Sequence, residues 1–308
     1  MKVLITGGAG FIGSSIAEEL LKENIEVVIV DNLITGKERN VPREAVLYKA
    51  DIRDNLGEIF MEEQPDYVIH LAAQVSVSSS IGDPVYDGDE NIVGTINLLK
   101  TCVRHKTKKI IFASTAALYG NPQFLPVDET HPVAPVSPYG LSKHCAELYI
   151  QLFSRLYGLP YTILRYANVY GVRQDANGEA GVVAIFIEKL LNGEVVNIHG
   201  DGLQTRDFIF VEDVARANVA ALTRGDNETI NISTQARISI QDIIGELSLI
   251  QATSISPVYL DERPGDIRHS ILSNDKAKET LNWNPEHSFS TGLRKTVDYC
   301  QSEHLSIK

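Results

Sequence analysis

The sequence begins with a glycine-rich turn between two patterned segments. In "VLITGGAGFIGSSIAEEL", Gly7, Gly10 and Gly13 stand three residues apart, directly after an apolar run and directly before an amphipathic stretch. Where a strand leads into a helix, the first glycine permits a tight turn and the second lets the backbone approach a pyrophosphate. The third lets the helix pack closely on the strand. The turn therefore predicts an anion-binding site at the start of the first helix.

The first half of the chain alternates short β-branched runs with longer amphipathic stretches, which is typical of strand–helix–strand units in a parallel sheet. We predict strands at 2–6, 26–30, 46–49, 67–70, 109–113 and 161–165. We predict helices at 11–22, 55–63, 84–105 and 138–157. Together with the glycine-rich turn, this order predicts an α/β fold with a Rossmann-type doubly wound parallel sheet.

The pattern becomes less regular after Asn168, where the stretch "RQDANGEAG" is followed by scattered short strand and helix signals. We therefore predict a dinucleotide-binding Rossmann domain at 1–168 and a smaller C-terminal α/β domain at 169–308 that mainly binds substrate. Two apolar segments near 207–235 are expected to return to the main sheet.

The charge of the chain limits its partners. Acidic residues outnumber basic ones by 40 to 28, and the formal charge of −12 repels phosphate polymers and anionic membrane surfaces. No apolar run approaches the roughly 20 residues that span a bilayer, and no signal-peptide pattern is present. We therefore expect a cytoplasmic protein without a nucleic-acid or membrane partner.

Cys102, Cys145 and Cys300 lack metal-ligand spacing and are expected to be reduced thiols, and no metal site is predicted.

Two acidic residues follow predicted strands. Asp31 stands about 20 residues beyond the glycines, where a carboxylate accepts hydrogen bonds from the adenosine ribose of a dinucleotide. Because a carboxylate repels a 2′-phosphate, NAD is favoured over NADP. Asp51, in "LYKADI", could reach the adenine amino group or could stand in a surface turn.

A tyrosine and a lysine stand four residues apart in "SPYGLSKHCAELY". Tyr139 and Lys143 follow Pro138, which favours a first helical turn, so they should lie on one helical face. A nearby ammonium and a nicotinamide cation favour the phenolate of a tyrosine, whose ordinary pKa is about 10. Such a tyrosine can accept a proton from a sugar or alcohol hydroxyl as hydride leaves the same carbon.

Ser114 and Thr115 follow a predicted strand in "IIFASTAALYG". Ligands of parallel sheets gather outside the carboxyl ends of the strands. A hydroxyl there both donates and accepts, so it can hold a reacting oxygen and relay its proton to Tyr139. The alternative is that both hydroxyls only form the turn.

A series of motifs extends these signals along nearly the whole chain. They are "TGGAGFIGS", "VIHLAAQ", "NIVGTINLL", "ASTAALYG", "PYGLSK", "LRYANVYG", "GDGLQTRDFIFVEDVA" and "ERPGDIRHS". In this order they resemble the extended short-chain dehydrogenase/reductase family, and within it the UDP-glucose (UDP-galactose) 4-epimerases and related nucleotide-sugar epimerases. The resemblance implies an isomerase that uses tightly held NAD to epimerise a UDP-hexose at C4 through a transient 4-keto intermediate.

The resemblance also implies roles for individual residues. Tyr139 is the catalytic base, Lys143 binds the nicotinamide ribose and lowers the pKa of the tyrosine, and Thr115 stands beside the C4 oxygen. The implied NAD contacts are Gly7, Gly10, Phe11, Ile12, Gly13, Asp31, Asn32, Gly36, Asp51, Ile52, Leu71, Ala72, Ala73, Gln74, Asn91, Ser114, Tyr139, Lys143 and Tyr166. The implied substrate contacts are Ser114, Thr115, Tyr139, Asn168, Val182, Val183, Phe186, Asn197, His199, Arg206, Arg263 and Asp266.

The two arginines in that set supply forked donors suited to a diphosphate. Asp207 and Asp266 stand close to them in sequence, so surface salt bridges are the alternative for Arg206 and Arg263.

The residues after Thr115 narrow the chemistry. Related dehydratases carry an Asp and Glu pair there and related decarboxylases carry a Glu, whereas this chain has Ala116 and Ala117. An alanine methyl can act as neither general acid nor general base, so elimination and decarboxylation are disfavoured. Ser270 stands where some 4-epimerases place a bulky tyrosine against C2 of the sugar, which would leave room for an N-acetyl group of UDP-GlcNAc or UDP-GalNAc.

Several alternatives share these motifs. A UDP-glucuronate or UDP-pentose 4-epimerase would differ from a UDP-hexose 4-epimerase only in the polarity of the sugar pocket. A net dehydrogenase would use free NAD(P)H. An NAD-binding regulatory protein would not turn over any sugar.

The resemblance also implies a homodimer through a four-helix contact made by the helices at 84–105 and 138–157.

Overall fold

The predicted alternation of strands and helices forms one central parallel sheet. The computed structural model describes residues 1–176, 181–262 and 267–307. The strands are β1 (Lys2–Thr6), β2 (Glu26–Asp31), β3 (Val46–Lys49), β4 (Tyr67–His70), β5 (Lys109–Thr115), β6 (Tyr161–Tyr166), β7 (Asn168–Tyr170), β8 (Asn197–His199), β9 (Thr205–Arg206), β10 (Phe208–Phe210), β11 (Glu228–Ile232), β12 (Ile238–Ser239) and β13 (Val258–Leu260). Within these residues, a seven-stranded sheet has the order β11-β6-β5-β4-β1-β2-β3, and the predicted doubly wound α/β fold is confirmed.

Helices cover both faces of this sheet. They are α1 (Phe11–Lys22), α2 (Gly57–Glu63), α3 (Val77–Gly82), α4 (Pro84–Gly88), α5 (Gly94–Arg104), α6 (Pro138–Tyr157), α7 (Val182–Leu191), α8 (Val211–Thr223), α9 (Ile240–Gln251), α10 (Asp275–Leu281) and α11 (Phe289–Ile307). Successive residues of a strand point to opposite faces. Accordingly Ile5 packs in the core that contains α1 and α8, whereas Leu4 packs in the core that contains α5 and α6.

The long helix predicted at 84–105 is interrupted. The chain forms α4, then one π-helical turn at Asp89–Val93, then α5. The interruption turns Asn91 inward, where its amide bonds the loop after β4. The spacing of hydrophobic residues cannot predict such a π-bulge, because the bulge depends on a polar contact with a loop distant in the sequence. Strands β5 and β6 also run further than predicted, to Thr115 and Tyr166.

Helix α6 has clear signals at both ends. Ser137 accepts a hydrogen bond from Gly140 N at 3.1 Å, Pro138 occupies the first turn, and Gly158 ends the helix with a left-handed φ of 69°. The helix therefore begins at a defined residue, which fixes the position of Tyr139 in its first turn.

The C-terminal part is built from smaller pieces. Strand β8 pairs with β13, β7 with β10, and β9 with β12. These pieces and α7, α9 and α11 enclose an apolar core that includes Phe186, Phe210 and Leu247. The chain also returns to the main sheet, because β11 pairs in parallel with β6 and α8 packs on α1.

Two further findings concern the cysteines and the apolar length of the helices. The three cysteines are free thiols. Across residues 1–176, 181–262 and 267–307, no helix is long and apolar enough to cross a bilayer.

Candidate active site and cofactor cleft

The glycine-rich turn has the geometry that its spacing predicts. Gly7 has a φ of +71°, and a Cβ there would lie 2.8 Å from the Ala72 nitrogen. A Cβ at Gly13 would clash with the Gly7 carbonyl oxygen, so the start of α1 packs directly on the turn. At Gly10, the N-cap of α1, the nearest neighbour of a Cβ would be 3.2 Å away. The turn thus leaves room beside Gly10 for a ligand.

Asp31 ends β2 and is held by the same turn. Its Oδ2 accepts from Ala9 N at 2.9 Å and its Oδ1 from Leu33 N at 2.8 Å. Gly36 covers this carboxylate, because a Cβ at residue 36 would lie 2.6 Å from Oδ1. The carboxylate is therefore fixed beside the turn and keeps lone pairs for ribose hydroxyls.

Asp51 belongs to a cluster at the carboxyl ends of β2 and β3. It accepts from Asn32 Nδ2 at 2.9 Å and from Arg53 Nε and Nη2, each at 2.9 Å. The Arg53 hydrogen bonds hold the pKa of Asp51 well below its ordinary value. Ile52 is buried beside Gly94. A contact between Asp51 and an adenine stays a prediction.

The loop after β4 is fixed by Thr6 and Asn91. Leu71 N and Ala72 N both donate to Thr6 O at 3.1 Å. The Asn91 amide accepts from Gln74 N at 2.8 Å and donates to Gln74 O at 2.9 Å. The predicted cofactor loop, 71–74, and the predicted contact Asn91 are thus one hydrogen-bonded unit.

The first turn of α6 lies against the end of β5. Thr115 Oγ1 accepts from Ala117 N at 3.1 Å and caps the 3₁₀ turn Ala116–Tyr119. A Cβ at Gly140 would lie 3.0 Å from the Ala117 carbonyl oxygen, so only a glycine lets the helix come this close. Tyr139, directly before Gly140, is half-buried at this junction.

Lys143 lies one turn further along α6 and is 3% exposed. Its Nζ is 4.2 Å from the centroid of the Phe112 ring. Burial lowers the pKa of Lys143 to about 7, although Glu147 and Asp87 act to raise it. A lysine poised between its two protonation states near neutrality is typical of a reaction site.

His70, at the end of β4, lies near this lysine and is buried. Its ring nitrogens are within 2.7 Å of Thr6 Oγ1 and 3.0 Å of Thr95 Oγ1. Burial, with a smaller effect of Lys143, lowers the pKa of His70 to about 3. His70 is therefore neutral, and it adds no second cation beside Lys143.

Ser114 does not point into a cavity. Its hydroxyl is buried and donates to Glu147 Oε1 at 2.6 Å. It is absent from the described lining of both cavities presented below. Direct contact of Ser114 with substrate would need another rotamer and stays a prediction. Neither Glu147 nor its partner Arg165 was singled out from the sequence.

A large cavity of about 440 Å³ opens in the C-terminal part. Its described lining contains the predicted substrate residues Asn168, Val182, Val183, Phe186, Asn197, His199 and Arg206. Sequence reasoning missed Lys189 and Gln204, which also line it. Gln204 Nε2 donates to His199 O at 2.9 Å. Lys189 could have been found from its helical spacing to Val182, because residues seven apart share a face.

A small cavity of about 200 Å³ lies at the carboxyl ends of β5 and β6. Its lining includes Thr115, Ala116, Ala117 and Tyr166, together with Ser270. Tyr166 Oη is hydrogen-bonded to the Asn218 amide, and burial raises its pKa above the ordinary value. Asn168 and Arg206 line both cavities, so the two cavities adjoin at these residues, and the pair is called the groove below.

Arg206 does not use its neighbour Asp207 as its partner. The Asp207 carboxylate is buried and accepts from Thr234 N at 2.9 Å, Thr234 Oγ1 at 2.7 Å and Gln235 N at 3.1 Å. Arg206 Nη1 donates to the Thr205 carbonyl oxygen at 3.0 Å, and Arg206 lines both cavities. Arg263 and Asp266 lie outside the described residues.

The cleft at the carboxyl ends of β1, β2 and β5 fits the predicted NAD. The start of α1, with Phe11 and Ile12, offers N–H groups without a partner inside the helix, and Gly10 leaves space in front of them. The Asp31 carboxylate is held where it can accept hydrogen bonds from ribose hydroxyls, and Lys143 lies near the end of β5. Among the described residues, no cluster of three or more His, Cys, Asp or Glu side chains could hold a metal ion.

Comparisons with known proteins agree with this geometry. A family model described as the NAD dependent epimerase/dehydratase family matches residues 3–233. A putative UDP-glucose 4-epimerase of Methanocaldococcus jannaschii is 46% identical over 98% of this chain and 99% of the relative.

Two solved structures are also similar. The UDP-glucose 4-epimerase of Thermotoga maritima, solved with UDP-glucose, has a TM-score of 0.96 at 46% identity and covers 98% of this chain and 99% of that one. The UDP-N-acetylglucosamine 4-epimerase of Methanobrevibacter ruminantium M1, solved with UDP-N-acetylmuramic acid, has a TM-score of 0.94 at 38% identity and covers 98% of both chains. The resemblance drawn from the motifs is confirmed: this chain is a member of the NAD-dependent epimerase/dehydratase family, within the extended short-chain dehydrogenase/reductases.

Proposed function

We propose that the protein is an NAD-dependent 4-epimerase of UDP-hexoses. The observation that carries this proposal is the groove formed by the two adjoining cavities. Its small end lies at Thr115, its large end holds the predicted nucleotide contacts, and Asn168 and Arg206 stand at the join. A sugar in the small cavity and a uridine in the large one would place the diphosphate beside Arg206.

Thr115 at the small end and two residues of the adjacent helix α6 have different roles in the proposed reaction. Thr115 holds the C4 hydroxyl, and Tyr139 takes its proton, returning it after the sugar has turned over. Lys143 favours the phenolate of Tyr139 through its positive charge. NAD, when bound, would supply a reversible hydride acceptor for C4 of the sugar, so the net redox change would be zero.

The small cavity also supports epimerisation over elimination. Ala116 and Ala117 line it, and neither can move a proton at C5 or C6 of the sugar. Epimerisation needs no such group.

A screen of the purified protein tests the proposal. UDP-glucose, UDP-galactose, UDP-GlcNAc, UDP-GalNAc, UDP-glucuronate and UDP-pentoses are incubated without added NAD, and the products are separated. We expect interconversion of C4 epimers. Turnover that depends on added cofactor would instead indicate a net dehydrogenase, and no turnover with any sugar would indicate a regulatory protein.

We further propose that N-acetylated sugars are accepted. Ser270 lines the small cavity, where a larger side chain would occupy space beside the sugar. Ser270→Tyr should reduce kcat/KM for UDP-GlcNAc by at least about tenfold relative to UDP-glucose, because filling a pocket discriminates by about 1–3 kcal/mol. An equal loss on both sugars would contradict this role for Ser270.

We also propose a homodimer. Helix α6 exposes an apolar stripe made of Leu141, Leu148, Tyr149, Leu152 and Leu156. Its spacing repeats along one helical face, which is typical of a helix that packs on a partner. Leu152→Glu should yield monomers in sedimentation, whereas Leu249→Glu, at an exposed position on α9, should not.

A further inference from the structure

A buried carboxylate lies one helical turn beyond Lys143 and has no role in the reaction proposed above. Glu147 is 1% exposed, on the inner face of α6. Its Oε1 accepts from Ser114 Oγ at 2.6 Å and Arg165 Nε at 2.9 Å, and its Oε2 accepts from Arg165 Nη2 at 2.6 Å. The carboxylate thus joins α6 to the carboxyl ends of β5 and β6.

The register of the sheet makes this junction specific. Ser114 of β5 pairs with Arg165 of β6, so both side chains leave the same face of the sheet toward Glu147. The next residue of β5 is Thr115, which lines the small cavity. A bond that fixes Ser114 to α6 therefore also fixes the position of Thr115 relative to Tyr139.

Glu147 remains ionised. Burial raises its pKa, but the hydrogen bonds from Arg165, His144 and Ser114 and the positive charge of Arg165 together outweigh this effect and hold the pKa of Glu147 below its ordinary value. Residues four apart on a helix have Cβ atoms about 5–6 Å apart, so this negative charge lies close to Lys143. Arg165 reaches the carboxylate from the sheet, on the side of Tyr119, to whose hydroxyl it donates at 2.9 Å.

We propose that Glu147 is a positioning residue with two effects. Its carboxylate holds the end of β5 against α6, and its charge keeps the proton on Lys143. The inference rests on the proposed function, in which protonated Lys143 favours the phenolate of Tyr139. Among the described residues, the titratable or charged groups that act on Lys143 or flank it are His70 of β4, Asp87 of α4, and Tyr139, His144 and Glu147 of its own helix, with Arg165 of β6 bonded to Glu147.

The decisive variant is Glu147→Gln, which keeps the size of the side chain and an oxygen for Ser114 while removing the charge. An opposite charge at this distance shifts a pKa by about one unit or more. We therefore expect the alkaline limb of the kcat profile to move about one pH unit lower, with KM for the UDP-sugar changed less than about twofold. A merely structural role would lower kcat at every pH and leave the limb in place.

A second variant guards against misfolding, because removing one partner of a buried ion pair is strongly destabilising. Glu147→Gln/Arg165→Met removes both charges and should move the limb in the same direction. The matched control is Glu129→Gln. Glu129 accepts from Asn231 N at 2.7 Å, at the far end of the same hydrogen-bonded group, and should leave the limb in place.

A direct readout needs no turnover. In NAD-loaded protein with ¹³Cε-labelled lysine, the Lys143 resonance is assigned by its loss in Lys143→Met and is titrated without substrate. A pKa of Lys143 lowered in both Glu147 variants, and unchanged in Glu129→Gln, supports the inference. An unchanged pKa in both Glu147 variants overturns it. If the sugar screen shows no turnover, this titration still decides the role of Glu147, so the two failures remain distinguishable.

Discussion

The two ends of strand β5 each bury a lysine, and the surroundings of the two lysines differ. At the amino end, Lys109 is 2% exposed and donates to Asp226 Oδ1 and to Arg224 O, both at 2.6 Å. At the carboxyl end, Lys143 faces the Phe112 ring, and the described residues offer its Nζ no hydrogen-bond acceptor. Burial lowers the pKa of both lysines.

The difference indicates which of the two buried lysines can bind a ligand. Lys109 is hydrogen-bonded to Asp226 and to the Arg224 carbonyl, so its ammonium group links β5 to the segment before β11. Lys143 is buried without such a bond and keeps its donors for a ligand. Burial alone therefore does not identify a catalytic cation, whereas burial combined with a missing acceptor points to one.

The largest effect should come from Tyr139→Phe, which removes the proton acceptor and leaves Lys143 in place. Loss of a general base costs about 10²–10⁴ in rate. We expect kcat in the epimerase assay to fall by about 10³ while NAD stays bound, as measured by its release on denaturation. Turnover near the wild-type rate would remove Tyr139 as the base.

Lys143→Met and Lys109→Met compare the two ends of β5 directly. Lys143→Met should lower kcat by about 10² without lowering the Tm of the protein, because a costly buried charge is removed. Lys109→Met should leave kcat within about twofold and destabilise the fold by about 1–3 kcal/mol, because the Arg224 carbonyl loses its donor. Equal losses of kcat would show that the two lysines do not differ as described.

At the carboxyl end, Thr115→Val keeps the shape of the side chain and removes its hydroxyl, whereas Thr115→Ser keeps the hydroxyl. We expect kcat to fall by about tenfold in the first variant and by about twofold in the second. Similar rates for both variants would argue that the hydroxyl does not touch the reacting oxygen.

The last comparison concerns stability and pH. The pKa of Lys143 is about 7 in the folded protein and 10.5 when unperturbed. Between these values the unfolded chain binds more protons at this group, so folded stability gains as pH rises. The free energy of unfolding can be measured with urea for both proteins without NAD. Between pH 7 and pH 10 it should rise for the wild type relative to Lys143→Met. Below pH 7 the difference in free energy of unfolding between the two proteins should be constant. A difference that does not change with pH would contradict the lowered pKa.

Much of the main sheet could be predicted because its signals are local. A glycine triplet, β-branched runs and the proline before Tyr139 each act within a few residues, and Asp31 follows its strand at a fixed distance. Of the substrate residues implied by the family resemblance, seven line the large cavity and Thr115 lines the small one, whereas the described linings contain neither Ser114 nor Tyr139. Their contacts with a ligand stay predictions.

What the sequence did not predict depends on contacts between distant segments. The π-helical turn at Asp89–Val93 exists because Asn91 bonds a loop 17 residues away. Glu147 is an unremarkable helical glutamate until the pairing of β5 with β6 places Ser114 and Arg165 beside it. The hydrogen bond from Ser114 to Glu147 could not be predicted either, because a position at the end of a strand does not show what packs over the side chain; the contact of Ser114 with a ligand stays a prediction.

The junction of the two cavities, which Asn168 and Arg206 both line, has a consequence for how the proposed enzyme would respond to its own products. The two epimers share every atom on the nucleotide side of that point and differ in the direction of one hydroxyl on the other side. Most of the ground-state affinity would then come from the half of the molecule that never changes. Both epimers would bind about equally well, and free UDP would compete with either of them.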